Sequence, residues 1–207
     1  MARETMKAVV MHQTGDPDVL QYTEIPVPRP RPDQVLVEVK AIGVNFTDIS
    51  SRRTGRHGPD AFPWVPGKEV AGIVTEVGGD VEGVTVGDRV MALMLETGWG
   101  YAQYCAVHHT LVHPIPDEMD FVQAAAIPLQ GLTAFHALTT SGLLKAGERV
   151  LIHAAAGGVG SFAIQLAKNA FAAGQVLAGA STQEKLDLAL SLGADVGVNY
   201  SSADWPQ

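Results

Sequence analysis

The sequence predicts a chain of class α/β plus β, in which an antiparallel barrel-like β domain is followed by the first half of a doubly wound α/β domain. Two observations carry this prediction. Residues 6–107 hold five strand-like runs with no long helical pattern between them. Residues 149–199 alternate short apolar strands with segments of helical period. We place the boundary after residue 120, which gives domains 1–120 and 121–207.

The strands of the first domain are rich in Val, Ile, Tyr and Met, and pairs such as Gly78-Gly79 separate them. The segment IPVPRPRPDQ (25–34) contains four prolines and is predicted to be an extended connector. An antiparallel arrangement follows because no helix separates the strands for long. The predicted strands are 6–11, 34–44, 69–78, 88–94 and 101–107.

In the second domain, Asp120 and Gln123 form a capping pair that opens an alanine-rich helix. Ser181 and Glu184 form another, and Gly193 stands where a helix ends. The alternation of strands and helices indicates a parallel sheet covered by helices. The predicted helices are 131–142, 158–172 and 182–192, and the predicted strands are 149–154, 175–180 and 196–199.

A glycine-rich loop, AAAGGVG (154–160), joins a predicted strand to a predicted helix. Ala155, Gly157 and Gly160 occupy the three small-residue positions of a dinucleotide-binding turn, the first being Ala instead of Gly. The helix N-terminus would direct N–H groups at a pyrophosphate. A glycine-rich turn without a ligand is the alternative. The buried stripe of this helix is predicted to be Val159, Ala163, Leu166 and Ala170.

The residues at the end of the second strand of the α/β domain, predicted at 175–180, predict which cofactor binds. Sites that prefer NAD place an acid there to bind the ribose 2′-hydroxyl, but no acidic residue occurs between Ser161 and Gln183. Ser181, Thr182 and Lys185 would instead surround a 2′-phosphate, which predicts NADPH as cofactor. The alternative is a solvated Lys185 beside Glu184 or Asp187.

Composition excludes several classes of protein. The net charge of −8 argues against a broad nucleic-acid surface. The single cysteine, Cys105, rules out a disulfide framework and a cysteine-rich zinc site. No apolar stretch predicts a secretory signal or a membrane span, so we expect a cytoplasmic protein without membrane partners. These features leave a monomer and a homo-oligomer open.

Eight segments of the sequence occur together in one order along the chain: MKAVV (6–10), GVNFTD (43–48), PGKEVAGIVTEVG (66–78), VGDRVMAL (86–93), GLTAF (131–135), AAAGGVG (154–160), QLAK (165–168) and LGADVGVNY (192–200). In this order they resemble the medium-chain dehydrogenase/reductase superfamily and, within it, the zinc-independent quinone oxidoreductase branch. The resemblance implies an N-terminal GroES-like barrel, then a Rossmann domain, with the active site in the cleft between them.

The resemblance also implies a site without metal. Zinc-dependent relatives carry Cys and His where this chain has Asn45 and Lys68, neither of which is a usual zinc ligand. Hydride transfer from NADPH to a small-molecule acceptor that is already electrophilic, a quinone or an α,β-unsaturated carbonyl (enone), is then the expected chemistry. An enoyl-thioester reductase and a non-enzymatic cofactor-binding scaffold are the alternatives.

The resemblance assigns cofactor roles to individual residues. Asn45 and Thr133 would lie near the nicotinamide, and Tyr200 would join Ser181 and Lys185 at the 2′-phosphate. The pyrophosphate would lie against the loop residues Ala156, Gly157, Gly158, Val159 and Gly160. Asn45 as a turn cap, Thr133 as a plain helix N-terminal residue and Tyr200 as a packing residue are the structural alternatives.

Two features of the chain depart from the family. The stretch DISSRRTG (48–55) lacks a tyrosine that serves some relatives as a candidate proton donor, so no catalytic acid is assigned. Relatives also continue beyond the position of Gln207 with the second half of the Rossmann domain. We expect the 207 residues to be a fragment of a longer protein. A truncated homologue with compromised activity is the alternative.

Overall fold

The computed structural model describes residues 4–56, 58, 61–94 and 99–202. The chain divides into two compact units, Met1–Leu129 and Gln130–Gln207. Each unit has its own apolar core. The first is built mainly from valines, among them Val35, Val37 and Val70, and the second mainly from alanines with Ile164 and Val176.

The first unit is an antiparallel β structure, as the sequence predicts. A two-stranded sheet pairs β1 with β2, and a five-stranded sheet has the order β6-β3-β4-β5-β7. The strands are β1 (Thr5–Val10), β2 (Gln21–Pro26), β3 (Gln34–Gly43), β4 (Glu69–Val77), β5 (Arg89–Leu93), β6 (Tyr104–His108) and β7 (Val112–Pro114).

Two strands and one α-helix of this unit were not predicted. Strand β2 extends into the start of the predicted 25–34 connector, and its burial alternates only weakly. Strand β7 is only three residues long. Helix α1 (Phe46–Thr54) interrupts a region expected to hold strands, and the residues that it buries are the polar Asp48 and Ser51. A helix whose buried face is polar has no apolar periodicity by which the sequence could reveal it.

Helix α2 (Phe121–Ala125) begins with the predicted capping box: Asp120 Oδ1 accepts from the Gln123 N–H at 2.7 Å. It packs on β3, β4 and β5, so it belongs to the first unit although the sequence places it after the domain boundary at residue 120. The guanidinium of Arg89 on β5 binds the carbonyl oxygens of Pro116, Asp117 and Met119 and fixes the segment before the helix.

The second unit alternates strands and helices, as predicted. Helix α3 (Pro128–His136) runs into one wide turn of π type at Ala137–Ser141. The parallel three-stranded sheet has the order β10-β9-β8. The elements after the wide turn are β8 (Arg149–Ile152), α4 (Gly158–Asn169), β9 (Gln175–Ala180), α5 (Gln183–Ser191) and β10 (Val196–Asn199).

Two local predictions in this unit are wrong. The predicted stripe of α4 is out of register: Val159 and Ala170 are exposed and Leu166 is half-buried. The face that packs carries Gly160, Ala163, Ile164 and Ala167, because the third glycine must itself face the loop before the helix.

The second error concerns the start of α5. Thr182, not Ser181, is the N-cap residue, and its hydroxyl accepts from the Lys185 N–H at 3.4 Å. The predicted partners Ser181 and Glu184 do not form the capping box. Gly193 follows the helix with φ +109°, a conformation that favours glycine.

Candidate functional site

The glycine loop between β8 and α4 is tied to the neighbouring strand. The Ala155 N–H donates to the Gly179 carbonyl at 3.0 Å, and the Gly157 N–H donates to the Ala154 carbonyl at 2.8 Å. Ala154 has φ +49°, in the left-handed region that disfavours a residue with a Cβ. The loop therefore holds a sharp turn directly before the helix begins.

The N-terminus of α4 presents backbone donors beside this turn. Ser161 donates the first hydrogen bond of the helix, to the Gly157 carbonyl at 2.9 Å. The N–H groups of Gly158, Val159 and Gly160 come before that bond and have no intrahelical partner. Gly157, Gly158 and Val159 are exposed. An anion held here would meet both these donors and the positive end of the helix dipole.

The three positions of the motif hold small residues for different physical reasons. A Cβ on Gly160 would lie 2.5 Å from the Ala154 oxygen and 2.7 Å from the Ala155 Cα, so helix and loop touch without room for a side chain. A Cβ on Gly157 would meet only the Ala154 oxygen, at 3.2 Å. Ala155 is fully buried, which shows that its methyl group fits where the strict motif has glycine.

The predicted 2′-phosphate residues lie at the carboxyl ends of β9 and β10. The Lys185 ammonium is 3.4 Å from the Ser181 hydroxyl, and the Tyr200 N–H donates to the Ala180 carbonyl at 3.1 Å. Within the described ranges no carboxylate pairs with Lys185, and Asp187 accepts from Gln183 instead. Lys185 is exposed, so the alternative of a solvated lysine near Glu184 or Asp187 stays open beside the prediction of a 2′-phosphate site.

His153, which follows β8, was not singled out from the sequence. Its ring lies 6.5 Å from the Tyr200 ring, centroid to centroid, on the side of β9 where Gly179 has no side chain. Glycines and the acid at a strand tip define a dinucleotide-binding turn, so a histidine before the loop carries no signal in that motif. Thr133 is exposed and lies inside α3, so it is not the helix N-terminal residue of the structural alternative.

Asn45 belongs to a buried polar cluster in the first unit. It precedes α1, where its N–H donates to Asp48 Oδ2 at 2.9 Å. Its side-chain Nδ2 donates to Glu69 Oε1 at 2.8 Å, and the Leu129 N–H donates to Glu69 Oε2 at 2.7 Å. The Tyr101 hydroxyl donates to Asp48 Oδ2 at 3.1 Å. Asn45 is therefore the N-cap residue of α1, as its structural alternative predicts. It also contacts Glu69, which a helix cap does not require.

Burial dominates the electrostatics of this cluster. Asp48 and Glu69 are 5 % and 0 % exposed, and burial raises the pKa of both carboxyls, although the bonds from Asn45 to each and from Leu129 to Glu69 act against it. Burial, followed by the charge of Asp48, also raises the pKa of Tyr101. Asp48 Oδ1 is buried without a hydrogen-bond partner among the described residues. Lys68 is buried as well, and its charge opposes the rise at Asp48.

The described residues contain no group of three or more His, Cys, Asp or Glu side chains arranged to hold a metal ion. Asn45 and Lys68 stand at the positions where zinc-dependent relatives carry Cys and His, and their side chains supply an amide and an ammonium group. The absence of a metal stays a prediction from those residue types. None of the helices in the described part of the chain has the length and apolarity to cross a bilayer.

Two family models match the chain: "Alcohol dehydrogenase GroES-like domain" over residues 31–117 and "Zinc-binding dehydrogenase" over residues 158–207. The quinone oxidoreductase of Pongo abelii is 37 % identical over 204 residues, which cover 98 % of this chain and 61 % of that protein. The chain belongs to the medium-chain dehydrogenase/reductase superfamily. Its fold is accordingly a GroES-like domain followed by the start of a Rossmann domain, which confirms the predicted fold class.

Two further superfamily members illustrate the similarity. The NADPH-dependent alkenal/one oxidoreductase of Arabidopsis thaliana chloroplasts is 40 % identical over 205 residues, covering 95 % of this chain and 53 % of that protein. The crystal structure of Escherichia coli quinone oxidoreductase complexed with NADPH has a TM-score of 0.87 and 37 % identity, covering 96 % of this chain and 60 % of that one. The chain thus spans between 53 and 61 % of the length of these proteins.

Proposed function

We propose that this protein is an NADPH-dependent oxidoreductase that transfers hydride to quinones or to α,β-unsaturated carbonyl compounds. The observation that carries the proposal is the tip of β9, where Lys185 contacts Ser181 and no acidic residue is present between Ser161 and Gln183. The relatives named quinone oxidoreductase and alkenal/one oxidoreductase support the same class of reaction.

The glycine loop would hold the pyrophosphate of the cofactor. The N–H groups of Gly158, Val159 and Gly160 would donate to its oxygens, and the open side of Gly157 would allow the close approach that a Cβ would hinder. Ala156, which is half-buried between the turn and the helix, would contribute backbone only. The fit of a dinucleotide rests on this combination of exposed donors and missing side chains.

The 2′-phosphate would lie between Ser181, Lys185 and Tyr200, with Thr182 fixing the first turn of α5 beneath it. A lysine in the first turn of a helix is unfavourable against the helix dipole, and an anion placed there removes that cost. Ser181 and Lys185 would together supply a hydroxyl and an ammonium donor. These are charge-assisted contacts to phosphate that NADH, which lacks the group, cannot make.

Asn45 and Thr133 would serve the nicotinamide end. When bound, NADPH supplies the hydride, and the acceptor takes up one proton from water to give a hydroquinone or a saturated carbonyl compound. No Lewis acid is required, because quinones and enones are already electrophilic, in contrast to an alcohol that must first be activated. Asn45 and Lys68 at the positions of zinc ligands agree with a reaction of this kind.

Removal of the charge of Lys185 tests the proposal that the protein binds NADPH in preference to NADH. Replacing it (Lys185→Ala) removes one charge-assisted contact to the 2′-phosphate, so the Kd for NADPH should rise about tenfold or more while the Kd for NADH changes little. Lys145→Ala is the matched control, since Lys145 is an exposed lysine of the same unit away from the strand tips. Calorimetric titration of both cofactors measures the effect. An equal loss for NADPH and NADH contradicts the assignment.

The reaction class has its own test. Full-length protein with NADPH is supplied in turn with a quinone, an enone and an enoyl thioester, and oxidation of NADPH is followed by absorbance. Turnover of the first two supports the proposal, and turnover of the thioester alone would favour an enoyl-thioester reductase. Binding of NADPH without turnover of any acceptor would favour a cofactor-binding scaffold. A cytoplasmic location and the lack of nucleic-acid and membrane partners stay predictions from composition and charge.

A further inference from the structure

The first unit contains an apolar groove that the proposed function does not use. Its volume is about 390 Å³, within the range of about 300–1,000 Å³ that is usual for small-molecule sites. It lies where the end of β1 and the segment around the end of β2 approach residues 63–65 and 99. Its walls are formed by apolar side chains of both regions, among them Val10, Val27, Pro28, Pro63, Trp64 and Trp99.

The groove is bordered by two separate apolar clusters. Trp64 packs with Met11 and Val19, and the Met11 N–H donates to the Trp64 carbonyl at 2.8 Å. Trp99 packs against the other cluster, which includes Val10. Because the two clusters do not merge, a tryptophan from each of them borders the space between.

The walls of the groove offer few hydrogen-bond donors. Three of the lining residues are prolines, which have no N–H group. Among the described lining residues, no side chain carries a charge or a polar atom other than the two indole nitrogens. A ligand held here must therefore be uncharged, because burial of an unpaired charge is costly. Three lining N–H groups already donate to backbone carbonyl oxygens: Val27 to Glu4 at 3.2 Å, Trp64 to Met11 at 2.9 Å and Trp99 to Val65 at 2.8 Å.

Trp99 has a strained backbone at the edge of this groove. Its φ is +76°, in the left-handed region that disfavours a bulky side chain. The bond from its own N–H to Val65, and the bond from the Tyr101 N–H to the Pro66 carbonyl at 2.8 Å, hold the segment in place. Glycine would adopt this conformation without strain, so the turn itself does not call for tryptophan. Retention of a strained aromatic residue beside a groove indicates a use for its side chain.

We propose that this groove binds an uncharged aromatic ligand of two or three rings. The ligand would pack against Trp99 and the neighbouring prolines, and aromatic rings in contact with an indole gain more than the area that they bury. The described lining contains no charged group that could neutralise an anion or a cation. Binding at this groove involves neither the cofactor nor the second unit, so it is independent of the proposed function.

A matched pair of fluorescent probes tests the chemical class of the ligand. N-phenyl-1-naphthylamine is uncharged and fluoresces in apolar surroundings, and 8-anilinonaphthalene-1-sulfonate is the same ring system with a sulfonate attached. The full-length protein should bind the uncharged probe saturably. The Kd of the sulfonate should be at least about tenfold higher, because its charge must be buried together with the rings. Equal affinity for the two probes, or no binding of the uncharged one, overturns the proposal.

Two variants test whether the probe binds in this groove. Val27→Phe fills the groove from the wall that follows β2, and Trp99→Gly removes an indole while it relieves the backbone strain. Each variant should raise the Kd of the uncharged probe about tenfold or more. Val86→Phe is the matched control, because Val86 is an exposed valine of the same unit that does not line the groove. It should leave the Kd unchanged.

Circular dichroism shows which variants are folded before each titration. Trp99→Gly keeps the test available if Val27→Phe does not fold, because the glycine removes strain and adds no bulk. Wild-type affinity in a folded variant of either kind overturns the proposal, since the probe then binds elsewhere. NADPH is left out of these titrations, so a failure of the proposed function does not affect their outcome.

Discussion

The contact between Gly160 and the loop before α4 gives a prediction that does not depend on any ligand. A methyl group at this position would lie 2.5 Å from the Ala154 oxygen, 2.7 Å from the Ala155 Cα and 2.8 Å from the Ala155 oxygen. All three atoms are backbone atoms, which cannot rotate away as a side chain can. Gly160→Ala therefore requires the helix to move by up to about 1 Å relative to the loop.

The magnitude follows from two opposing effects. Overpacking of this kind costs about 1–3 kcal/mol. Alanine returns up to about 1 kcal/mol through its better helix propensity. We expect a net loss of about 1–2 kcal/mol in the free energy of unfolding, which lowers Tm by roughly 4–16 °C for a unit of this size.

Thermal unfolding followed by circular dichroism measures this loss. Gly158→Ala in the same helix is the control, because its methyl group would meet only the flexible side chain of Gln130, at 3.1 Å. The control should melt close to the wild type. A Gly160→Ala variant that is as stable as the wild type and the control would show that loop and helix are not in the tight contact described.

Three further predictions concern stability. Ala154→Gly should stabilise the chain by about 0.5–1 kcal/mol in urea unfolding, because it removes the cost of φ +49° at a residue with a Cβ; a loss would contradict the turn. Thr182→Ala should lower the free energy of unfolding by about 0.5–1 kcal/mol and Ser181→Ala by less, since only Thr182 caps α5. A larger loss in Ser181→Ala than in Thr182→Ala would instead support the capping box predicted from the sequence. Burial raises the pKa of Asp48 and Glu69, so the folded chain binds protons more tightly than the unfolded one. Stability should then fall as pH rises from about 4 through the raised values, with a shallower slope in Glu69→Gln; an unchanged slope would refute the contribution of Glu69.

The sequence predicted the second unit well because its signals are local. Each strand is a short apolar run, and Gly193 marks a helix end within a few residues of the helix itself. The predicted buried stripe of α4 was wrong, since apolar spacing alone does not reveal that Gly160 faces the loop. In the first unit, α1 escaped because Asp48 and Ser51 are its buried residues while Phe46 is 84 % exposed. The spacing of Asn45 and Asp48, followed by Gly55, was the available signal.

In the candidate site too, contacts between residues close in sequence could be predicted and contacts between distant residues could not. The strand-tip residues Ser181 and Lys185 are four positions apart on one strand–helix junction, so their contact could be expected from spacing. The hydrogen bonds of Glu69 could not be expected from the sequence, because its partners Asn45 and Leu129 lie 24 and 60 positions away. Only the folding of the first unit brings Asn45, Glu69 and Leu129 together.

Glu69, whose carboxylate is bound by Asn45 and Leu129, fills the space beside Gly43: a Cβ at Gly43 would overlap Oε1, Cγ and Cδ of Glu69. This overlap has a consequence for how such chains can diverge. The two positions share one volume, so a mutation at either one changes what the other tolerates. A larger residue at 43 should be acceptable only after Glu69 has been replaced by something shorter. Among descendants of this sequence, the two substitutions should therefore occur in that order, and a glycine kept at 43 should accompany a long acidic side chain at 69.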